Sequence, residues 1–260
     1  MEDGLKRLHA RLLDMLVELR KFANENDIKF FLVGGSALGA WRHQGFIPWD
    51  DDVDIAMMRT DFEKMEKAMK KAGNHLGEYI YSPVEEQLMP DAPIGYLYDG
   101  KNIDKGYNLT AKIDIHPIDG VPDNSFLRKI QNIASKVYYV SVYRLPAKNK
   151  GKMAAVITGA IVKITPGFVF KFYRRITKKI ITSWDDRTSK NICSLFGVAG
   201  YSTETMPRDY LMPLKESLFE NEYFYIPGNI EPYLERLYGD FKFLPPECEQ
   251  HPRHKIHLNY

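Results

Sequence analysis

The sequence predicts a mixed α/β fold in which helices pack against a central sheet. Three observations carry this prediction: two amphipathic helical segments, several short apolar runs typical of strands, and the alternation of these elements up to about Asp119. The 260 residues are enough for one large core with an appended helical part. Apolar and charged content are ordinary for a globular protein.

Periodicity predicts the first elements. Leucines at helical spacing predict an amphipathic first helix, namely Leu5, Leu8, Leu12, Leu16 and Leu19. The apolar run from Phe30 to Val33 predicts a buried strand. Thr60-Asp61-Phe62-Glu63 has the form of a capping box. It predicts the start of a second helix, whose apolar positions are Phe62, Met65, Ala68, Met69 and Ala72.

Further strands are predicted along the chain. Two of them are Tyr79 to Ser82 and Gly95 to Tyr98, and Lys101 to Asn108 is the hairpin connection into a third strand around Asp114. Another strand is predicted from Phe219 to Ile226. These elements complete a sheet of mixed strand order flanked by helices.

A glycine-rich turn follows the first strand. Gly34-Gly35-Ser36 interrupts the apolar run, and two residues without Cβ allow the backbone to approach a ligand closely. Ala37 to Trp41 then predicts the first turns of a helix. Because the N-terminus of a helix presents free N–H groups and the positive end of its dipole, Gly34, Gly35 and Ser36 are candidate phosphate-binding residues.

Aspartates line the strand after this turn. Side chains alternate along a strand, so Asp52 and Asp54 point to one face, and Asp114 alternates in the same way farther along. Neighbouring carboxylates repel each other unless a cation lies between them, and hard oxygen donors suit Mg²⁺ or Mn²⁺. Asp52, Asp54 and Asp114 are therefore the predicted metal-binding and catalytic residues.

Two simpler interpretations of these residues are less favoured. Asp50, Asp52 and Asp54 have the spacing of a calcium loop, but Ile55 stands where an EF-hand needs glycine, and Asp61 stands in place of its final glutamate. A solvated acidic turn explains Asp50 to Asp52, whereas Asp54 lies in an apolar run where a bare charge is costly.

Five segments of the sequence carry a family resemblance: Gly34 to His43, Gly45 to Ile55, Asp114 to Asp119, Tyr238-Gly239-Asp240 and Leu244-Pro245-Pro246. They resemble the LicD family, whose members are phosphocholine-transferase-like proteins of the nucleotidyltransferase superfamily. The resemblance covers nearly the whole chain and implies a nucleotidyltransferase fold. It also implies transfer of a phospho-alcohol, such as phosphocholine, from a CDP-activated donor such as CDP-choline to a sugar hydroxyl.

The resemblance and the residue chemistry together assign roles. Asp52 and Asp54 would hold one or two Mg²⁺ ions against the diphosphate, and Arg42 would add a bidentate phosphate contact. Asp114 would complete the metal site or take the proton of the acceptor, with His116 beside it on the same face. The alcohol stays open among choline, ethanolamine, ribitol and glycerol. The acceptor is a cell-surface glycan, such as lipopolysaccharide or teichoic acid, or its lipid-linked precursor.

Two alternatives remain at this stage. The same metal site would serve a nucleotidyltransferase that moves a nucleoside monophosphate from a nucleoside triphosphate. A non-catalytic, membrane-bound scaffold of glycan assembly is the other alternative, but a scaffold gains nothing from grouped, unpaired carboxylates.

Charge is segregated along the chain. From Asn124 to Trp184 there is no Asp or Glu, while the same span holds thirteen Lys and Arg residues. A helix is predicted from Phe126 onward, with Phe126, Ile130, Ile133 and Val137 on one face. Phe168 to Ile181 mixes aromatic and aliphatic groups with a dense basic face, which is typical of a helix on an anionic membrane surface. A solvated basic face is the alternative, and nucleic acid is not expected because no recognition motif is present.

The predicted organisation has three parts. Residues 1–122 form the nucleotidyltransferase-like catalytic core, 123–184 the basic amphipathic segment, and 185–260 a C-terminal part that packs back on the core. Met153 to Ile164 is apolar but shorter than the roughly twenty residues of a membrane-spanning helix. A polar N-terminus and two distant cysteines that make no disulfide scaffold predict a cytoplasmic protein. The basic segment further predicts a peripheral location on the inner face of the membrane.

The C-terminal tail has the spacing of a weak metal motif. Its Cys and His residues recur every three positions, and prolines at 246 and 252 disfavour the continuous helix that would align them. The resemblance instead implies that His254 or Arg253 lies near the site. The residues of the weak motif are Cys248, His251, His254 and His257.

Overall fold

A computed structural model describes residues 2–86, 92–101, 110–144, 159–160 and 162–252 of the chain. Three sequence predictions fall wholly or partly outside these ranges: the hairpin connection after Lys101, the start of the apolar segment at Met153, and the tail residues 253–257.

The elements of the first half alternate between helix and strand. They are α1 (Glu2–Glu25), β1 (Phe31–Leu32), α2 (Gly34–His43), β2 (Val53–Met58), α3 (Arg59–Lys71), β3 (His75–Leu76), β4 (Tyr79–Ser82), β5 (Gly95–Asp99) and β6 (Lys112–Val121). The second half contains α4 (Ser125–Tyr143), α5 (Gly167–Ile181), β7 (Asn191–Cys193), α6 (Tyr201–Glu204), β8 (Thr205–Pro207), β9 (Lys215–Phe219), β10 (Glu222–Ile226) and α7 (Ile230–Tyr238). Short 3₁₀ turns lie at Arg208–Tyr210 and Glu247–Glu249.

A mixed sheet of eight strands forms the centre of the described fold. Its main order is β1-β2-β6-β5-β4-β3, and β7 and β8 extend it from the second half of β6. Strands β2 and β6 pair in parallel, while the other neighbours are antiparallel. Helices flank this sheet, so the predicted mixed α/β fold is confirmed.

The parallel pair β2–β6 lies at the heart of the core. Val53 is opposite Ile113, and Ile55 is opposite Ile115, and all four side chains are buried. Because side chains alternate along a strand, the residues between them turn to the other face of the sheet. The alternation predicted for both strands is therefore confirmed.

Helix packing confirms most of the apolar positions. Leu8, Leu12, Leu16 and Leu19 of α1 are buried, as are the apolar side chains Phe62, Met65 and Met69 of α3.

The strand predicted from Phe219 to Ile226 is interrupted, because β9 ends at Phe219 and a turn separates it from β10. Cys193 and Cys248 are free thiols, as predicted. None of the described helices combines the length and the apolar character that crossing a bilayer requires.

The predicted capping box at Thr60 is wrong. Helix α3 begins one residue earlier, at Arg59, and the side chain of its N-cap residue Met58 makes no capping hydrogen bond. The carboxylate of Asp186 accepts hydrogen bonds from the Thr60 amide (3.3 Å) and the Thr60 hydroxyl (2.9 Å). A residue 126 positions away thus satisfies a free N–H of the first turn.

We expect Asp186→Ala to lower the free energy of unfolding by about 1–2 kcal/mol, because it removes this cap from α3. Urea unfolding followed by circular dichroism measures the change. Asp209→Ala, at an exposed carboxylate, is the matched control. Equal stability of the two variants would contradict the capping role of Asp186.

Two other local predictions need correction. The helix after β1 begins at Gly34 rather than Ala37, so the Gly34-Gly35-Ser36 turn is itself the first turn of α2. The helix predicted from Phe126 is α4, but its apolar stripe is not its core face. Phe126 is 68% exposed and Ile133 is 61% exposed, while Gln131 is fully buried. The reason is that Gln131 makes hydrogen bonds inside the protein, which hydrophobic periodicity does not register.

Candidate active site

Two of the predicted carboxylates meet on the parallel strand pair. Asp54 of β2 and Asp114 of β6 occupy directly paired positions. His116, two residues beyond Asp114, joins them, with its Nε2 3.1 Å from Asp54 Oδ1. One ligand atom from each of the three residues lies within 4.8 Å of the others. The structure thus brings Asp54 and Asp114 together as the alternation predicted, with a histidine as the third member.

Asp52 belongs to a neighbouring group. It precedes the first residue of β2, and its carboxylate groups with those of Asp50 and Asp51, again within 4.8 Å. Its negative charge still acts on the ammonium group of Lys112. The three predicted aspartates are therefore close in space but divided between two adjoining clusters.

Lys112 is a cation inside this acidic site. Its Nζ donates to both carboxylate oxygens of Asp114, at 2.6 and 2.8 Å, and lies 5.2 Å from the centre of the Tyr96 ring. Burial alone would lower the pKa of Lys112, but Asp114, Asp52 and Asp54 outweigh it and raise the pKa above its ordinary value. Lys112 therefore stays charged and offsets part of the negative charge.

The pKa values of the other two groups are also shifted. Burial raises the pKa of Asp114, and the charge of Asp54 adds to this effect against the opposing charge of Lys112. For His116, burial would lower the pKa, but the hydrogen bond to Asp54 and the charges of Asp54 and Asp114 raise it overall. The carboxylates of Asp54 and Asp114 thus favour the charged form of the His116 ring.

The start of α2 packs directly against the carboxylates. Gly34 has φ +55°, and a Cβ at this position would lie 3.3 Å from Asp54 Oδ2. A Cβ on Gly35 would lie 2.9 Å from Asp50 Oδ2. Because these residues carry no side chain, the helix N-terminus approaches both acidic clusters with its amide groups.

Hydrogen bonds fix the position of this helix end. The Gly34 amide donates to the Tyr233 hydroxyl of α7, at 2.9 Å. The Ser36 hydroxyl oxygen accepts from the Asp54 amide, at 3.0 Å, and its own hydrogen remains a donor. The glycine turn, β2 and α7 are thus held together around Asp54.

Gly34→Ala is expected to lower the free energy of unfolding by about 1–2 kcal/mol because of its positive φ, and to reduce turnover because its Cβ would crowd Asp54. Gly73→Ala is the matched control, since Gly73 has φ +68° with open space around it. Both variants should lose similar stability in urea unfolding, and Gly34→Ala alone should lose activity. Equal activity of the two variants would contradict the close approach at Gly34.

Arg42 is not brought to the carboxylates. It lies at the opposite end of α2, about 12 Å along the helix axis from Gly34 at 1.5 Å per residue. Its Nε donates to His43 Nε2 (3.0 Å), and its Nη1 donates to the backbone carbonyls of Phe241 (3.3 Å) and Phe243 (3.4 Å). Arg42 therefore ties α2 to the segment that follows α7.

Several residues at the site were not singled out from the sequence. The position of Lys112 could have been predicted, because strand alternation places it on the same face as Asp114 and His116. Tyr238 lies in a block that carries the family resemblance, and its hydroxyl is 3.6 Å from the Cβ position of Gly34. No sequence pattern pointed to Tyr233 or Glu204, because both come from distant parts of the chain. Glu204 is buried, and its charge acts on the His116 ring.

The sequence is similar to those of known proteins. Residues 27–86 match the family model described as "LicD/FKTN/FKRP, nucleotidyltransferase domain", which includes the glycine turn and Asp54. Over 256 residues the chain is 24% identical to the lipopolysaccharide cholinephosphotransferase LicD of Haemophilus influenzae, covering 93% of this chain and 92% of that protein.

Two shorter matches fall on uncharacterized Rickettsia proteins. The protein from Rickettsia typhi is 37% identical over 65 residues, which cover 24% of this chain and 21% of that protein. The protein from Rickettsia prowazekii is 42% identical over 50 residues, which cover 19% of each. The match to the family model over residues 27–86 and the similarity over nearly the full length confirm the resemblance to the LicD family that the sequence showed.

Proposed function

We propose that this protein transfers phosphocholine from a nucleotide-activated donor to a sugar hydroxyl of a lipopolysaccharide-type glycan. The LicD-type domain and the similarity to a named cholinephosphotransferase support a transferase of phosphorus-containing groups. The relative from Haemophilus influenzae is named as a lipopolysaccharide cholinephosphotransferase, which supports choline as the alcohol. The observation that carries the proposal is the meeting of Asp54, Asp114 and His116 at the N-terminus of α2.

The donor set of the site suits a divalent cation. Asp54 and Asp114 offer the hard carboxylate oxygens that Mg²⁺ or Mn²⁺ prefers, and His116 lies within 4.8 Å beside them. Asp54 and Asp114 would hold the ion, with Asp52 as the third predicted ligand. When bound, the cation would neutralise negative charge on the diphosphate as the phosphoryl bond breaks.

The chain's own residues would bind and orient the donor. The first-turn amides of α2, at Gly35 and Ser36, have no acceptor within the helix and would donate to a phosphate oxygen. The ammonium of Lys112 would supply a second positive charge to the same phosphates. These groups favour a diphosphate donor such as CDP-choline over an uncharged one.

Transfer requires a base for the acceptor hydroxyl. The acceptor oxygen would form a new bond to the phosphorus of phosphocholine while the bond to the leaving CMP oxygen breaks. Asp114 or His116 would take the hydroxyl proton, because both lie beside Asp54 at the N-terminus of α2. A lipid-linked glycan precursor, including a teichoic acid precursor, is the wider acceptor class, and it would be met at an anionic membrane surface.

Nucleotidyl transfer is the second candidate. The matching family model is described as a nucleotidyltransferase domain, and its metal-binding residues would serve a nucleoside triphosphate equally well. The two reactions differ in which phosphorus is attacked and therefore in which donor binds.

Donor binding distinguishes these candidates. Isothermal titration of the purified full chain with CDP-choline, CDP-ribitol, CDP-glycerol and CTP, each with and without Mg²⁺, is the test. We expect Mg²⁺-dependent binding of CDP-choline in preference to the other three. Tighter binding of CTP would favour nucleotidyl transfer, and preference for CDP-ribitol or CDP-glycerol would replace choline as the alcohol.

A further inference from the structure

Helix α4 leaves part of its apolar surface outside the core. Its buried side combines Ala134 and Tyr138 with the polar residues Gln131, Ser135 and Ser141, whereas Phe126 and Ile133 are exposed. The buried polar groups are satisfied: Gln131 donates to the carbonyls of Gly120 and Ile181, and each serine donates to a carbonyl of its own helix. These contacts hold α4 in an orientation that leaves Phe126 and Ile133 facing outward.

Helix α5 also carries apolar residues on its outer side. Its core side is formed by Phe170, Thr177 and Ile181. On the opposite side Phe168 is 73% exposed and Phe172 is 59% exposed, and Ile176 continues the same spacing of four residues. Large apolar side chains repeated on the solvent side of a helix indicate an interaction surface.

The two helices form an antiparallel pair. Near the start of α4, Gln131 Nε2 donates to the carbonyl of Ile181, the last residue of α5, at 3.1 Å. At the other end, the Arg144 guanidinium lies 5.2 Å from the ring centre of Phe170, in the first turn of α5. The pair therefore packs along its length, with both core sides turned to the protein.

Basic residues share the outer side with these apolar groups. Five exposed cations occupy it, and within the described residues no acidic side chain pairs with them. Arg174 and Lys178 differ, because they lie toward the protein and contact Glu85, at 3.6 and 3.3 Å. The five exposed cations are Lys129, Lys136, Lys171, Arg175 and Lys179.

We propose that the outer side of the α4–α5 pair docks on an anionic phospholipid surface. Phe126, Ile133, Phe168, Phe172 and Ile176 would enter the interfacial region while the five cations bind lipid phosphates. A second copy of this chain would bring like charges together, and protein interfaces are depleted in lysine. The surface deepens the proposed function by naming how the enzyme would reach a membrane-borne acceptor, but docking does not require the proposed chemistry.

Vesicle sedimentation of the purified full chain tests this docking. We expect binding to vesicles that contain phosphatidylglycerol and little binding to vesicles of phosphatidylcholine alone. Lys171→Gln/Arg175→Gln should weaken binding roughly thirtyfold, at about 1 kcal/mol for each charge near the surface. The matched control is Lys67→Gln/Lys70→Gln on the exposed side of α3, which should bind as the wild type does.

A second pair of variants tests the apolar part. Phe168→Ser/Phe172→Ser should weaken binding by roughly tenfold or more, whereas Val198→Ser/Tyr223→Ser, at exposed apolar residues elsewhere, should not. Circular dichroism checks that each variant is folded. All four variants should keep wild-type turnover on a soluble glycan acceptor, so a failure of docking and a failure of the proposed chemistry appear in separate measurements.

Several results would overturn the proposal. Absence of vesicle binding, equal binding to both kinds of vesicle, or equal effects of test and control variants would each exclude the docking surface. Light scattering tests whether a second copy of this chain occupies the surface, and a titration with single-stranded DNA tests whether nucleic acid does. If Phe168→Ser/Phe172→Ser dissolves an oligomer, or if DNA competes with the vesicles only through Lys171 and Arg175, the surface belongs to that partner instead.

Discussion

Asp54→Asn is expected to lower kcat by roughly a thousandfold or more while the fold stays intact. Asp54 contacts His116, lies in register with Asp114 and faces the amide end of α2, so the substitution changes the charge where all parts of the site meet. Loss of a carboxylate that would hold the proposed cation is expected to remove several kcal/mol of transition-state stabilisation, and each 1.36 kcal/mol is about tenfold in rate. Release of CMP from CDP-choline in the presence of a glycan acceptor measures the effect.

The matched control is Asp123→Asn, which makes the same chemical change at an exposed carboxylate paired with Lys190. Circular dichroism and thermal unfolding should be alike for both variants and the wild type. Turnover within tenfold of wild type in Asp54→Asn would exclude Asp54 from the chemistry. If neither the wild type nor Asp54→Asn showed turnover while cells carrying Asp54→Asn modified their glycan normally, the alternative of a non-catalytic scaffold would be favoured.

Asp119→Ala should cost about 3–5 kcal/mol of unfolding free energy. Asp119 lies at the end of the block Asp114 to Asp119 and is fully buried, and its two oxygens accept from Arg59 Nε at 2.6 Å and Nη2 at 2.7 Å. Removal of one partner leaves a buried guanidinium without its counter-charge, which is far more costly than loss of the pair as a whole. Urea unfolding followed by tryptophan fluorescence measures the loss.

The double variant Arg59→Met/Asp119→Leu tests whether the instability of Asp119→Ala comes from the unpaired charge of Arg59 or from the loss of the Asp119 side chain itself. It removes both charges and keeps apolar volume, so it should be considerably more stable than Asp119→Ala. Equal instability of the two variants would mean that Asp119 matters for its shape or its neighbours rather than for Arg59. Because Asp119 contacts Arg59 rather than the acidic cluster, the double variant should retain turnover.

Strand alternation allowed the heart of the site to be predicted. Asp54 and Asp114 both lie between apolar residues of a strand, and the pairing of those strands follows from ordinary sheet geometry. His116 and Lys112 share the same alternation, so the sequence also placed them on that face. What it did not reveal is their contacts, because the ion pair of Lys112 with Asp114 depends on side-chain conformation.

Long-range partners account for most of the errors. Asp186 caps α3 from another part of the chain, and Arg42 reaches the carbonyls after α7, so neither contact is present in any local pattern. The orientation of α4 was missed for a similar reason. Gln131 is held by carbonyls of β6 and α5, and these hydrogen bonds outweigh the apolar stripe that periodicity detects.

The contacts of α2 with the end of the chain have a consequence for synthesis. Both ends of this helix are fastened by residues 199 positions downstream, Gly34 by Tyr233 and Arg42 by the Phe241 carbonyl. The ribosome synthesises the chain from its N-terminus to its C-terminus. The carboxylates and the glycine turn therefore emerge long before Tyr233 and Phe241 do. The helix N-terminus acquires its final position only when almost the whole polypeptide has been made, and a prematurely terminated product would contain every predicted metal ligand yet lack an assembled site.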